Sequence, residues 1–476
     1  MTVFWHRRDL RLDDNRGLER ALERSEDPIV PLFVLDPTVL EHASPVRVAC
    51  LLEAVGALRE RYRDLGSDLV IRRGKASAVV PGVAADVGSE RVVWNRDYSG
   101  LAADRDRAVV AALEDDDVTW ESVHDAICHE PGSITPNEGT HYQVFSYFWK
   151  KWRDRDKRDP VAPPEADLLA TVGTDGDEIG GVETGTLPSR TELGFESPEA
   201  SLPTVTPAAA RTRLETFCDG PIYQYADVRD LPAAGGTSRL SIHLAWGTIG
   251  VRDVWAATER AADRAGDGQR ESVTAFQRQL AWREFYAHVL AFNPEIVTED
   301  FDPYPDEIPW RDDTEALEAW KHGRTGFPIV DAGMRQLREE AWMHNRVRML
   351  VASFLTKHLL LDWRHGYDWF RRHLADHDTA NDVGGWQWAA STGTDAQPYF
   401  RVFNPISQCQ EYDPDGEYVR RYVPELEDVP TDAIHDWPEL EQADRDRLAP
   451  DYPDPIVDHA AGRTRAIEAF ERARGE

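Results

Sequence analysis

Cysteine, lysine and long apolar runs are all scarce in this 476-residue chain. The four cysteines, Cys50, Cys128, Cys218 and Cys409, stand far apart, so no pair has the spacing of a redox motif, a zinc site or a disulfide framework. No metal site is expected. Nowhere do about 18 apolar residues run together, and the start, Met1-Thr2-Val3-Phe4-Trp5-His6-Arg7-Arg8, turns polar before a signal-peptide core can form. A cytoplasmic protein with no membrane partner is predicted, and we expect a monomer. Neither glycine motif for phosphate is present. Gly266-Asp267-Gly268 continues as Gln269-Arg270-Glu271, and Gly74-Lys75 lacks the upstream glycine and the hydroxyl residue that should follow. These absences exclude a standard NAD or ATP module.

Only six of the 54 basic residues are lysine, and the 86 acids leave a net charge of −32. The acids are spread along the whole chain, and the many aromatics exclude a disordered acidic protein. In molar salt, screening over roughly 3 Å suppresses self-repulsion. We therefore read adaptation to high salt. Acidity argues against nucleic acid as a partner only weakly, because counterion release adds little affinity at high salt and a local arginine patch survives under a negative total.

Up to about residue 130, short apolar runs alternate with helical patterns. Val3–Trp5, Ile29–Leu35, Leu69–Ile71, Arg91–Trp94 and Val118–Trp120 read as five buried strands, with a helix over Arg47–Leu65 among the segments between them. Ligands of such sheets sit beyond the strand C-termini, where Asp36, Asn95 and Asp97 fall. We assign residues 1–130 to an α/β domain with a parallel, doubly wound sheet. Residues 131–207, rich in Pro, Gly, Thr and acids from about 154, read as a long linker, and 208–476 as an all-α domain. Glu271–Phe292 and Val330–Leu361 are its most periodic stretches.

The densest mixture of chemistry is Gly384-Gly385-Trp386-Gln387-Trp388-Ala389-Ala390-Ser391-Thr392-Gly393-Thr394-Asp395, introduced by Asp376-His377-Asp378 and Asn381-Asp382. Glycines admit a ligand close to backbone, and tryptophan offers a flat, oxidisable face, so the run suits a planar cofactor. A second segment, Gly235-Gly236-Thr237-Ser238-Arg239-Leu240-Ser241, places hydroxyls and backbone N–H groups before a helix, either as an anion cradle or as an ordinary cap. Phe276, Gln279, Trp282, Arg283 and Tyr286 share a helical stripe, as do Asn345, Arg348, Met349 and Ala352. An amide and a guanidinium among aromatics read as a pocket wall or as a satisfied polar core face. No Ser-His-Asp, Cys-His or two-His-plus-Glu arrangement stands out.

Six ordered blocks carry a family resemblance: Phe4–Arg11, Gly236–Ser241, Trp282–Tyr286, Phe327–Leu337, Met343–Met349 and the glycine-framed tryptophan run. Over nearly its full length the chain resembles the photolyase/cryptochrome flavoproteins, most of all the microbial, haloarchaeal-type enzymes that repair cyclobutane pyrimidine dimers. The resemblance implies FAD in the helical domain and light-driven splitting of dimers in UV-damaged single- or double-stranded DNA, the dimer flipped into a pocket and the enzyme nucleoid-associated on damaged DNA. It assigns Thr237, Ser238, Arg239, Leu240 and Ser241 to the FAD pyrophosphate. Tyr225, Phe276, Arg348, Asp376, His377 and Asp378 match other cofactor contacts. Trp310, Trp363 and Trp386 match the family's electron chain, while Gln279, Trp282, Arg283, Met349 and Trp388 match the lesion pocket. Arg229, Asn345 and Arg346 match positions near DNA. An antenna chromophore is implied in the first domain, with Phe33, Asp36, Arg47 and Asp97 as contacts and 8-hydroxy-5-deazaflavin favoured over folate.

Two departures stand out. Gln279 replaces the glutamate usual among dimer repairers. Asp382 replaces the asparagine usual near flavin N5 in microbial photolyases, and a buried acid there is expected to be protonated. The alternative readings are a cryptochrome-type blue-light photoreceptor with little repair, a (6-4) photoproduct repair enzyme and an ordinary flavin oxidoreductase.

Overall fold

The computed structural model describes residues 1–173 and 178–475. Its contacts group the chain into two compact units, one of residues 1–198, 202–223 and 238–294, the other of 199–201, 224–237 and 295–476.

In the first unit, the five apolar runs become parallel strands β1 (Thr2–His6), β2 (Ile29–Leu35), β3 (Val70–Arg73), β4 (Arg91–Asn95) and β5 (Thr119–Val123), in the order β3-β2-β1-β4-β5. The crossovers carry α1 (Arg16–Glu23), α2 (Pro45–Asp64), α3 (Ala76–Asp86) and α4 (Gly100–Asp115). β1 pairs with both β2 and β4, so the order of connection reverses at β1/β4, where open α/β sheets bind ligands. β1 and β2 are buried at every position, as continuous apolar runs in a parallel sheet require. Val3, Trp5, Val30, Leu32, Val92 and Trp94 pack into one core with Val80 and Val83 of α3.

The stretch read as a linker contains α5 (Phe145–Asp154), whose Phe145, Phe148 and Trp152 are buried. Further on it returns to the sheet: Ala170 N–H donates to the Ile29 carbonyl and Ile71 N–H to that of Thr184. After it come α6 (Pro207–Asp219), α7 (Ser241–Trp246), α8 (Val251–Arg264) and α9 (Asp267–Phe292).

A buried quartet of charges ties α8 to the loops after β1 and β5. Arg252 Nε lies 2.6 Å from Asp14 and its Nη2 2.6 Å from Asp125, while Arg11 Nη2 reaches the other Asp125 oxygen at 2.6 Å. Burial works to raise the Asp125 carboxyl, but the two arginines prevail and hold it at about 2. A Cβ on Gly250 would lie 1.8 Å from Asp14 Oδ2, so only glycine admits this approach.

The second unit is mainly helical, with α10 (Pro328–Glu340), α11 (Asn345–Ser353), α12 (Trp363–His373), α13 (Thr379–Ala390) and α14 (His459–Arg474). The periodic stretch Val330–Leu361 is two helices rather than one. Ala341 turns left-handed at φ +50°, and His344 Nδ1 then caps the new start by accepting from Arg346 N–H at 3.2 Å. Past α11, one wide π-type turn spans Phe354–His358.

Candidate functional site

Residues expected at the cofactor and the lesion fall in both units and are described unit by unit. In the first, α9 presents Gln279, Trp282, Arg283 and Tyr286 as a half-buried stripe, and Phe276 sits deeper, its ring 4.7 Å from that of Phe217. Trp282 is fixed: Phe145 stacks on it at 3.6 Å and Tyr286 at 5.6 Å. Gln279 Nε2 donates to the Ala275 carbonyl one turn back. Arg283 is committed to protein, donating to the carbonyls of Ala126 and Leu244. Ser238 Oγ accepts from Leu240 N–H, and Arg239 between them is exposed with φ +50°, a conformation that costs a side-chain-bearing residue. Ser241 then opens α7.

At the β1/β4 switch point, Arg7 and Arg105 lie 5.2 and 5.0 Å over the Trp5 ring. Burial, then the neighbouring Arg7, pushes Arg105 down to about 9. Asp97 accepts from Tyr98 N–H and pairs with Arg8 at 3.5 Å; burial works to raise it, but Arg8, Arg7 and Arg105 hold it below the usual carboxylate range. Arg7 Nε and Nη2, Arg105 Nε and Asp106 Oδ1 are buried without a hydrogen bond, the last two 3.9 Å from each other, and such groups can take a polar ligand. Sequence reasoning missed Arg7, Arg105 and Asp106. Of the residues it chose, Phe33 is buried in β2 and Arg47 donates to the His42 carbonyl. Asp36 spends both oxygens on protein, capping Thr38 N–H and accepting from Ala76 N–H.

In the second unit, Arg348 Nη2 grips both oxygens of Asp376 at 2.9 and 2.8 Å, and its Nη1 lies 3.8 Å from Asp382. His377 Nδ1 is 2.5 Å from the other Asp382 oxygen. The acid at 382 is buried, and it is paired because the preceding loop folds His377 back onto the helix. Asp378 caps α13, accepting from Asn381 N–H at 3.1 Å. Tyr225 is buried, which pushes its phenol up to about 12. Thr237 follows Gly236, where a Cβ would lie 2.2 Å from Val228, so this turn demands glycine.

The three tryptophans that the resemblance matches to an electron chain differ in exposure. Trp386 is buried against Phe370 at 5.0 Å and Trp320 at 5.9 Å, with its indole N–H unpartnered. Trp363 is also buried and donates to Asp300 at 2.8 Å, while Trp310 is partly exposed and packs edge-on to Phe470. Trp388 is half-buried, 6.4 Å from Phe403. Between the two indoles of the run, Gln387 is structural: Nε2 donates to the carbonyls of Ile296 and Glu299, and Oε1 accepts from Phe301 N–H. Lys357, also unforeseen, is buried and donates to the Ala390 carbonyl and Ser391 Oγ at the end of α13, and burial pushes its amine well down. Asn345 is exposed, with Nδ2 3.7 Å from Met349 Sδ. Arg346 and Arg229 share one acid, Asp230, at 2.9 and 3.6 Å. Among the described residues, no cluster of metal-binding side chains occurs and no helix is long and apolar enough to cross a membrane.

The polar groups of the second unit, a guanidinium, an imidazole and carboxyl groups, suit the polar edge of a flavin nucleotide. Comparison with known proteins agrees. Residues 2–166 match the family described as DNA photolyase, and residues 276–472 match the FAD binding domain of DNA photolyase. The deoxyribodipyrimidine photo-lyase of Halobacterium salinarum is 58% identical over the full length of both chains. The crystal structure of a class III photolyase from Agrobacterium tumefaciens superposes with a TM-score of 0.89 at 36% identity, covering 100% of this chain and 98% of that one. An archaeal photolyase from Sulfolobus tokodaii, solved with two FAD molecules, gives 0.81 at 30% identity over 99% of each chain. The chain belongs to the DNA photolyase family.

Proposed function

We propose that this protein is a deoxyribodipyrimidine photo-lyase that repairs cyclobutane pyrimidine dimers in UV-damaged DNA. The observation that carries this reading is the 58% identity to such an enzyme across both whole chains. Bound FAD supplies the light-excited electron that opens the cyclobutane ring. The chain's own residues bind, orient and exclude water. Thr237–Ser241, Tyr225, Phe276, Arg348, Asp376, His377, Asp378 and Asp382 hold the cofactor. Trp282, fixed by its ring contacts with Phe145 and Tyr286, is a rigid contact for a flipped base. Met349, Trp388 and Gln279 complete the lesion contacts, and Arg229, Arg346 and Asn345 meet DNA. Trp386, Trp363 and Trp310 form the oxidisable set that delivers reducing electrons.

The antenna belongs at the β1/β4 switch point. Arg7, Arg105 and Asp106 atoms without hydrogen bonds there favour a polar chromophore, and the resemblance of Phe33, Asp36 and Asp97 to deazaflavin contacts favours 8-hydroxy-5-deazaflavin over folate. Defined oligonucleotides carrying a single dimer or a (6-4) product, illuminated with reduced protein in high salt, test the assignment. Dimer loss only in light supports it. Intact dimers after illumination reject it. A cryptochrome-type photoreceptor is the second reading, favoured by one observation, an acid rather than an amide at Asp382. It predicts a partner bound only in the light.

A further inference from the structure

Half of this chain's six lysines, Lys150, Lys151 and Lys157, lie within eight residues of one another. Residues 145–158 hold six bases against two acids, in a protein whose total charge is −32. Lys150 and Lys151 are exposed on α5, and among the described residues no carboxylate pairs with either. The remaining lysines have other settings: Lys321 pairs with Glu318, Lys357 is buried, and Lys75 stands at the start of α3. Tyr147, 58% exposed on the same helix, lies beneath Lys150, whose ammonium is 5.7 Å from the ring centre. An exposed ring beside unpaired ammonium groups matches what nucleic acid takes: phosphate contact plus a stacking face.

The place of this helix adds to the case. Its first residue, Phe145, stacks on Trp282 at 3.6 Å, and Arg278 of α9 lies 5.3 Å over the Phe145 ring. From Phe145 to Lys150 the helix rises roughly 8 Å. That span corresponds to two or three phosphates at about 3.4 Å each along one strand.

We propose that the exposed face of α5 is a second DNA contact, in which Lys150 and Lys151 bind phosphates flanking the dimer and Tyr147 packs on the sugar or base beside them. The inference rests on the repair reading, because it takes Trp282 as a lesion contact. Lys157 has a separate part: it donates to the carbonyls of Trp152, Arg153 and Arg155 and so closes the C-terminal end of the helix.

The test compares the parent with Lys150→Glu/Lys151→Glu, Lys150→Arg/Lys151→Arg and Tyr147→Ala. Binding is measured to a duplex with one thymine dimer across a potassium chloride series, and to the isolated dimer dinucleotide. The double glutamate variant is expected to bind the duplex at least about tenfold more weakly at the lowest salt, with the slope of log K against log salt reduced by about 2. The arginine pair keeps the parental slope, Tyr147→Ala weakens duplex binding with the slope intact, and dinucleotide binding stays at the parental value throughout. Parental duplex affinity and slope in the glutamate variant would overturn the proposal while leaving the repair reading standing. So would a variant that loses only affinity for anionic phospholipid vesicles. A parent that binds the dimer duplex no better than undamaged duplex would overturn both.

Discussion

His377 Nδ1 and Asp382 Oδ2 lie 2.5 Å apart, and both side chains are almost sealed from solvent. Leaving a buried hydrogen-bonding group unsatisfied costs roughly 1–3 kcal/mol. Asp382→Asn is therefore expected to lower stability by about 2 kcal/mol, read from chemical unfolding in high salt. His377→Ala leaves Asp382 with only the more distant Arg348, and should cost a similar amount. Parental unfolding midpoints in both variants would show that the bond adds nothing.

Gly366 is a second point of close approach. A Cβ there would lie 2.0 Å from the Trp386 ring, so Gly366→Ala must displace that indole or shift α12. Overpacking of this kind costs about 1–3 kcal/mol. The expected result is a lower melting temperature together with a changed near-UV circular dichroism band from tryptophan. An unaltered spectrum would contradict the packing described.

Gln279→Glu tests the proposed lesion contact. The amide now donates to the Ala275 carbonyl, and a carboxylate has no proton for that bond, so it turns outward. We expect dimer affinity to rise several-fold, about 1 kcal/mol, by equilibrium binding to a dimer oligonucleotide. Unchanged or weaker binding would count against a lesion contact at this position.

Acid sensitivity follows from His358. Burial, aided by His459 and Arg465, lowers its folded-state pKa to about 3, against about 6.5 when unfolded. The unfolded chain therefore binds the extra proton first. The stability that this group contributes is complete above about pH 6.5 and drains away as pH falls toward 3, by about 3 kcal/mol between pH 6.5 and 4. His358→Phe should flatten that part of the stability–pH curve, measured by urea unfolding at fixed salt. A parallel curve would show that another group dominates.

The sheet was legible because burial on both faces writes each strand as an apolar run, and Ile29–Leu35 appears as predicted. The pairing of Arg348 with Asp376 was not, since ion pairs across 28 positions leave no periodic trace. Gln387 shows why spacing misleads. Set between two indoles it read as part of a ligand face, yet its partners are main-chain groups at 296, 299 and 301, which any sequence would supply. The break at Ala341 was hidden for a related reason: an alanine in a left-handed turn carries no glycine to announce it. Arg7 and Arg105 escaped notice because a guanidinium inside an α/β core looks like any surface arginine until its buried nitrogens are counted.

The quartet of Arg11, Asp14, Asp125 and Arg252 bears on how this protein can be dissected. A fragment cut at residue 208, where the composition changes, would carry Arg252 away from Asp14 and Asp125. Separating one side of a buried ion pair costs about 3–5 kcal/mol, because the remaining charge has no compensation. The helical portion is therefore expected to be insoluble or unfolded when expressed alone, because the face of α8 that meets the α/β loops is left bare.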